Sequence, residues 1–223
     1  LAHACNVYEV EKDQRNRMKF YFDGDSFTYG GGFREKYGID PYNHRWSKLI
    51  CDHYGAEETN LSKCGVSNDR VLRHLFAEDR DLEQYDFFFI QLTFPLRFEF
   101  WSTQFNEWIR FRVGKGIISP RDDIMSYYGK EHLDWENYYI DKIYSDKQGK
   151  IKERIAYGSI VSLLTGMGKP FIMLGLSPYN QFKWGYDFNH EEFNRISRKD
   201  THPSMLGHKQ IAKKLIHKVK DKL

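Results

Sequence analysis

Two short runs of apolar residues place the strongest limit on how this chain can fold. Residues 87–90 read Phe-Phe-Phe-Ile and residues 171–174 read Phe-Ile-Met-Leu, so neither run alternates between polar and apolar side chains. A strand without that alternation is covered on both faces, as happens in a parallel sheet with helices packed above and below it. The sequence therefore predicts a parallel sheet that includes strands over residues 86–92 and 171–176.

Further strands and helices alternate with these two strands along the chain. Residues 18–22 and 58–61 are shorter strand candidates. Amphipathic spacing predicts helices over residues 42–54, after residues 67–69, over residues 131–167 with a break near residues 146–149, and from about residue 204 to 219. Such alternation is typical of a doubly wound α/β fold, a three-layer α/β/α sandwich around a mainly parallel sheet.

The length of the chain fits one domain. With 223 residues, of which 40% are apolar, we expect a single domain over residues 18–223. Residues 1–17 are predicted to be an N-terminal extension, a disordered or docking arm rather than a mature secreted terminus. Residues 98–157 are rich in aromatic side chains and long for a connection, which predicts a partly helical insertion packed over or beside the site. Its aromatic residues either form local core or line a substrate groove.

Charge and cysteine usage narrow the class of protein. The 34 basic and 31 acidic residues are interspersed and give a net charge of +3, so we expect no nucleic-acid partner. No window approaches the roughly 18 apolar residues of a transmembrane helix.

The three cysteines form no C-x-x-C pair, which indicates a reducing compartment or buried thiols. A cytoplasmic location is favoured, with secretion as the alternative. The histidines lack ligand spacing, so neither a metal nor a cofactor is predicted.

A turn that bears a serine follows the first predicted strand. Gly24, Asp25 and Ser26 come directly after residues 18–22, and functional sites of parallel sheets gather at the carboxyl ends of the strands. Gly65, residues 93–97 and residues 177–180 follow the other strands and belong to the same edge. The spacing matches neither a Walker loop nor a dinucleotide fingerprint. The alternative to a nucleophile is a serine that caps a helix, and Asp25 is expected to cap or brace the turn.

A histidine and an acid near the other end of the chain complete a possible catalytic set. Asp200 lies two residues before His202, which precedes Pro203 and the last predicted helix. A serine hydroxyl is a poor nucleophile and needs a base within about 3 Å that a third group orients. Ser26, His202 and Asp200 are therefore predicted to be nucleophile, base and orienting acid.

Three motifs in this order resemble the SGNH, or GDSL, hydrolase family. The resemblance covers most of the chain from Met18 onward, apart from the aromatic-rich residues 98–157. They are Gly24-Asp25-Ser26 with Thr28 and Gly30, Gly65-Val66-Ser67-Asn68-Asp69, and His202-Pro203-Ser204 with Gly207-His208. The resemblance implies a flavodoxin-like SGNH hydrolase fold and acyl transfer from an ester to water. It also implies an oxyanion hole made by the backbone N–H groups of Ser26 and Gly65.

The chain departs from the family pattern at two places. Thr93-Phe94-Pro95-Leu96 stands where the family has Gly-x-Asn-Asp, so the asparagine that donates to the oxyanion is missing from its place. Asn68 is the preferred substitute, with Thr93 and Arg97 as alternatives. The family's usual spacing is Asp-x-x-His, but that slot holds Lys199 and Asp200 lies one residue closer to the histidine. The group that orients His202 is therefore either Asp200 or a backbone carbonyl.

The predicted function is a serine-dependent hydrolase of carboxylic esters that works through an acyl-enzyme. Its partner would be a small-molecule or glycan ester, including O-acetylated carbohydrates. Two alternatives use the same fold: a binding or structural module with little or no catalysis, and an O-acyltransferase that passes the acyl group to an alcohol. The sequence predicts no oligomeric state.

Overall fold

The computed structural model describes residues 17–111, 134–135, 137–175, 188–189 and 193–223. Five of its strands form one parallel sheet in the order β2-β1-β3-β6-β7. These strands are β1 (Lys19–Asp23), β2 (Glu57–Asn60), β3 (Phe87–Leu92), β6 (Phe171–Gly175) and β7 (Phe188–Asn189). The predicted α/β fold with a parallel sheet is confirmed, and the four predicted strands lie within one residue of their expected bounds.

Both faces of the sheet are covered, because alternate side chains of each strand point to opposite sides. Phe20, Phe22 and Phe89 belong to one buried cluster, and Phe22 stacks on Phe89 with ring centroids 4.6 Å apart. Tyr21 and Phe88 belong to a second cluster on the other face. Burying an aromatic or aliphatic side chain of this size contributes about 1.5–3 kcal/mol. The uninterrupted apolar runs of the sequence are therefore explained by two cores on one sheet.

Helices supply the two outer layers. Their bounds are α1 (Ser26–Tyr29), α2 (Phe33–Tyr37), α3 (Trp46–Tyr54), α4 (Asn68–Leu75), α5 (Asp146–Gly166) and α6 (Met205–Lys220). Helices α3 and α6 cover the first face, and α4 and α5 cover the second. Ser67 and Ser204 cap α4 and α6 by accepting hydrogen bonds from Arg70 N and Gly207 N. Serine at these positions satisfies backbone donors that the first turn of a helix leaves free.

The helical segment is interrupted one to two residues before the predicted position near residues 146–149. Tyr139–Ile143 form a π-helical turn, and the chain then becomes extended at Tyr144 and Ser145. Ser145 accepts a hydrogen bond from Gln148 N, so α5 begins at Asp146 and residues 146–149 form its first turn. A Cβ atom on Gly149 would lie 2.4 Å from the Tyr144 hydroxyl oxygen, so a larger residue there would displace the Tyr144 ring.

The aromatic-rich segment begins with a β-hairpin that was not predicted. Strands β4 (Phe98–Ser102) and β5 (Glu107–Phe111) pair antiparallel. Arg73 Nη2 of α4 donates to Glu99 Oε1 of β4 at 3.1 Å. Arg110 Nη1 of β5 donates to Cys64 O at 2.9 Å. These contacts hold the hairpin beside the loop that contains Gly65. Residues 112–133 and 136 of the segment lie outside the described residues, as do residues 1–16 of the predicted extension and residues 177–180 after β6.

Within the described ranges, no helix combines the length and the apolar character needed to cross a membrane.

Candidate active site

The turn after β1 places Ser26 at the carboxyl edge of the sheet. Gly24 has φ +155°, and a Cβ atom on it would lie 2.6 Å from the Cβ of Gln91, so only glycine fits between β1 and β3. Asp25 is the N-cap of α1 and accepts from Phe27 N at 3.0 Å. Ser26 is the first residue of that helix and is 7% exposed. The turn therefore presents one hydroxyl group at the strand end.

Ser26, His202 and Asp200 lie in hydrogen-bond contact although 174 or more positions separate Ser26 from the other two. His202 Nε2 is 2.9 Å from Ser26 Oγ, and His202 Nδ1 is 2.7 Å from Asp200 Oδ1. A carboxylate at Nδ1 holds the proton on that nitrogen, which leaves the lone pair of Nε2 for the serine hydroxyl. The arrangement is that of a nucleophile, a base and a group that orients the base.

The loop before α6 explains how Asp200 reaches the imidazole from two residues away. Asp200 N donates to Ser197 Oγ at 2.9 Å, and Ser197 N donates to Asp200 O at 3.0 Å. His202 N donates to Asp200 Oδ1 at 3.1 Å, so the same carboxylate oxygen faces both the main chain and the ring of His202. Ile196 N then donates to His202 O at 2.9 Å. This tight turn accommodates the shorter spacing between acid and histidine.

Two glycines that the sequence analysis did not assign to the site pack against the Ser26–His202 pair. A Cβ atom on Gly31 would lie 2.8 Å from Ser26 Cβ and 3.1 Å from His202 Nε2. Gly32 has φ +86°, and a Cβ atom there would lie 3.3 Å from Asp200 Oδ2. The run of three glycines after the serine motif was the signal in the sequence. At Gly31 and Gly32 the physical cause is that the loop passes too close to the site for a side chain to fit without a shift, whereas a Cβ atom on Gly30 would meet Pro41.

Asp25 is a fully buried carboxylate with four hydrogen-bond donors around it. Besides Phe27 N, they are Gln91 Nε2 at 2.9 Å, Thr93 Oγ1 at 2.7 Å and Arg97 Nη1 at 2.9 Å. Gln91 Oε1 in turn accepts from Thr28 Oγ1. The expectation that Asp25 caps and braces the turn agrees with these contacts. Gln91 was missed, although a single amide inside an apolar strand is a signal for a buried polar contact.

A second buried carboxylate, that of Asp23, holds the end of β1 against α4. Asp23 Oδ1 accepts from Gly24 N at 2.8 Å, and Asp23 Oδ2 lies 2.7 Å from His74 Nδ1 of α4. Tyr21 OH donates to the same carboxylate, and burial together with this negative charge raises the pKa of Tyr21 well above its usual value. The fully buried carboxylate of Asp23 thus ties the strand end to a histidine of α4 that is 11% exposed.

The loop that follows β2 brings Gly65 to the same edge. Leu61 N donates to Phe22 O at 2.9 Å and Lys63 N donates to Gly24 O at 3.1 Å, so this loop runs alongside the exit of β1. Gly65 has φ +70°, a left-handed conformation that glycine adopts without strain. Its backbone N–H group is the predicted partner of Ser26 N–H in the oxyanion hole.

Asn68, the predicted third donor, binds the main chain of Thr93. Asn68 Nδ2 donates to Thr93 O at 3.2 Å, and Asn68 Oδ1 accepts from Thr93 N at 2.7 Å. This pair of bonds joins the start of α4 to the end of β3. One Nδ2 hydrogen of Asn68 is used in this way, so only the second Nδ2 hydrogen could donate to an oxyanion.

His208 of the third motif is fully buried and lies behind the site rather than in it. Its Nδ1 accepts from Trp46 N at 3.1 Å, and burial lowers its pKa to about 3. Gly207 beside it cannot be replaced without a shift, because a Cβ atom would lie 2.1 Å from Asn194 O. These two residues dock the first turn of α6 against α3 and against the loop before His202.

The structure shows no group of three or more His, Cys, Asp or Glu side chains, among the residues that it describes, that could hold a metal ion.

Comparison with known proteins identifies the fold. No protein-family model matches the sequence, and no curated protein matches it. A solved carbohydrate esterase, whose active site displays divergent catalytic and non-catalytic binding functions, superposes with a TM-score of 0.55 at 12% identity. The match covers 93% of this chain and 66% of that one.

Two further solved structures are similar at lower scores. An acetyl xylan esterase from the rumen bacterium Butyrivibrio proteoclasticus has a TM-score of 0.42 at 16% identity, over 92% of this chain and 64% of that one. An esterase from Pseudoalteromonas sp. has a TM-score of 0.42 at 15% identity, over 91% of this chain and 97% of that one. This chain thus spans slightly less than two thirds of the first two proteins. This chain therefore shares its fold with a solved carbohydrate esterase, and the predicted three-layer α/β fold with a mainly parallel sheet is confirmed.

Proposed function

We propose that this protein is a serine-dependent hydrolase of carboxylic esters. One observation carries the proposal: the 2.9 Å contact between Ser26 Oγ and His202 Nε2, with Asp200 Oδ1 2.7 Å from the other ring nitrogen. A serine that only capped a helix would need neither a histidine at its hydroxyl nor a carboxylate behind that histidine. The geometry is what nucleophilic catalysis by serine requires.

The residues suit a two-step mechanism. Ser26 Oγ attacks the ester carbonyl carbon while its proton passes to His202 Nε2, and the C–O bond to the alcohol breaks as His202 returns that proton to the leaving alkoxide. A water molecule then attacks the acyl-enzyme, giving one proton to His202, which passes it to Ser26 Oγ as the acid leaves. Asp200 holds the ring and stabilises the imidazolium that forms in each step.

The oxyanion of each tetrahedral intermediate would rest on the backbone N–H groups of Ser26 and Gly65. Asn68 is the proposed third donor, through the Nδ2 hydrogen that does not bond Thr93 O. The loss of one such donor typically costs about 3–4 kcal/mol, or 10²–10³-fold in rate. An enzyme with two strong donors and one weak donor would therefore be active but slow.

The proposed substrates are small acyl esters, including O-acetyl esters of carbohydrates. The support for a carbohydrate is that a solved protein with a similar fold is a carbohydrate esterase. Fold alone does not fix a substrate, so a panel of acetylated sugars should be compared with short-chain aryl esters. Release of free acetate in that panel would separate hydrolysis from transfer of the acyl group to a second alcohol.

The test uses the intact chain and a 4-nitrophenyl acetate assay. We expect measurable turnover, loss of that turnover in Ser26→Ala with an unchanged circular dichroism spectrum, and a single fluorophosphonate adduct that mass spectrometry assigns to Ser26. Full activity in Ser26→Ala would refute the proposal.

A binding module without catalysis is the second candidate. The observation that favours it is the absence of the family's asparagine, whose place is occupied by the turn of residues 93–96. This candidate predicts no fluorophosphonate adduct at Ser26 together with retention of the protein on an immobilised glycan. Adduct formation with turnover would exclude it.

A further inference from the structure

The turn that replaces the family's asparagine block places Arg97 beside Asp25, the residue that precedes Ser26. Arg97 N donates to Phe94 O at 3.1 Å, which closes a four-residue turn directly after β3. From this turn the guanidinium group reaches back toward β1. Its Nη1 lies 2.9 Å from Asp25 Oδ2 and 2.8 Å from Thr93 Oγ1.

The position of Asp25 makes this contact relevant to catalysis. Asp25 immediately precedes Ser26, its side chain is 0% exposed, and its carboxylate orients the Phe27 N–H group in the first turn of α1. Among the described residues, Arg97 is the positively charged side chain in contact with it. Without that charge, a buried carboxylate would lie next to the place where the oxyanion of the transition state develops, and like charges repel strongly in such surroundings.

The same nitrogen also approaches the other half of the oxyanion hole. Arg97 Nη1 lies 3.5 Å from the carbonyl oxygen of Val66, which directly follows Gly65. One guanidinium nitrogen therefore contacts the neighbours of both residues whose backbone N–H groups are proposed to hold the oxyanion. Because one nitrogen makes all of these contacts, a lysine would keep the charge and part of the hydrogen bonds, but its ammonium group lacks the fixed direction of the guanidinium N–H groups.

We propose that Arg97 is a positioning residue that compensates for the missing asparagine, an inference that rests on the proposed esterase function. It neutralises Asp25 and holds the Ser26 turn and the Gly65 loop at a fixed separation. It acts on the transition state through these two segments and makes no contact with the substrate. Its removal should therefore lower kcat far more than it changes KM.

A matched control exists elsewhere in the chain. Arg45 forms a comparable pair with Glu58, with Nη2 2.9 Å from Oε2 and side chains 11% and 2% exposed. The corresponding exposures for Arg97 and Asp25 are 14% and 0%. Arg45→Ala thus measures how much kcat changes when a buried ion pair away from the site is broken. Any larger loss of kcat in Arg97→Ala is due to the position of Arg97 beside the site.

The experiment compares kcat and KM for wild type, Arg97→Ala, Arg97→Lys, Arg45→Ala and the double variant Asp25→Asn/Arg97→Ala. We expect Arg97→Ala to lower kcat by about tenfold to a hundredfold relative to Arg45→Ala, with KM changed less than about threefold. Arg97→Lys should retain part of kcat. The double variant should exceed Arg97→Ala in kcat, because it removes the uncompensated charge.

The outcomes separate this inference from the proposed function. A kcat of Arg97→Ala equal to that of Arg45→Ala, in a protein whose Ser26→Ala variant is inactive, overturns the role of Arg97 and leaves the esterase intact. If wild type is neither active nor labelled at Ser26, the proposed function fails and this inference fails with it. If Arg97→Ala does not fold, Arg97→Gln takes its place with the same expected loss of kcat.

Discussion

Replacing Gly31 by alanine should damage the site while leaving the fold nearly untouched. Gly31 does not have a left-handed backbone conformation, so its backbone suits alanine. Its new Cβ would lie 2.8 Å from Ser26 Cβ and 3.1 Å from His202 Nε2. Two carbon atoms pack comfortably at about 3.5 Å, so Ser26 or His202 must move by about 0.7 Å.

A shift of that size is large compared with the tolerance of a hydrogen bond. The contact of 2.9 Å between Ser26 Oγ and His202 Nε2 lengthens to as much as about 3.6 Å, at which no hydrogen bond remains. Misplacement of a reacting group by about 1 Å costs on the order of 10²-fold in rate. We therefore expect kcat of Gly31→Ala to fall by about that factor, with a change of less than about 1 kcal/mol in the free energy of unfolding.

The assay is steady-state hydrolysis of 4-nitrophenyl acetate, together with the rate of fluorophosphonate labelling at Ser26 and urea unfolding. Gly158→Ala is the control, because Gly158 lies in α5 with no atom within 4 Å of a Cβ placed on it. That variant should keep wild-type kcat and gain about 0.5–1 kcal/mol of stability. A kcat for Gly31→Ala within threefold of wild type would show that the Ser26–His202 contact does not limit turnover, and would refute this reasoning.

Two further predictions concern the histidines of the third motif. Asp200→Asn should lower kcat by about 10²–10⁴-fold at unchanged stability, because the amide no longer holds the proton on His202 Nδ1, whereas Lys199→Ala should keep wild-type kinetics. Burial lowers the pKa of His208 to about 3 from its ordinary 6.5, so the unfolded chain binds a proton there that the folded protein excludes. Stability should therefore fall as the pH drops from about 6.5 toward 3, by up to about 1.4 kcal/mol per pH unit. Urea unfolding of His208→Asn, whose amide oxygen can still accept from Trp46 N, should show a shallower pH dependence, and an identical slope would contradict the assignment.

The sequence predicted the sheet well because the strands are buried on both faces. Residues 87–90 and 171–174 pack into clusters above and below the sheet, so their apolar character is uninterrupted and unambiguous. The hairpin of β4 and β5 was missed, because Phe98, Phe100 and Trp101 do not alternate with polar residues in a clear period of two. One side of β4 packs with Ile109 and Tyr139, while Trp101 remains half exposed.

The contacts around Ser26 also differ in how far the sequence predicts them. Ser26 and His202 could be paired from the sequence because each belongs to a short motif with recognisable chemistry. The partners of Asp25 could not, since Gln91 and Arg97 lie 66 and 72 positions away and neither has a local signature. Which buried polar groups meet is decided by the register of β1 and β3, and a single sequence does not contain that register.

Two buried carboxylates on either side of Gly24 favour a catalytic role for Ser26 over a structural one. Asp23 ties the end of β1 to α4, and Asp25 ties the first turn of α1 to the end of β3. Buried ion pairs contribute little to stability once the cost of desolvation is included, so a fold that needed only stability would be served better by apolar side chains here. What such pairs do provide is a fixed geometry, since each bond has a short optimal length and a preferred direction. A helix cap tolerates small displacements of its hydroxyl group, but a nucleophile that must meet both His202 and an oxyanion hole does not.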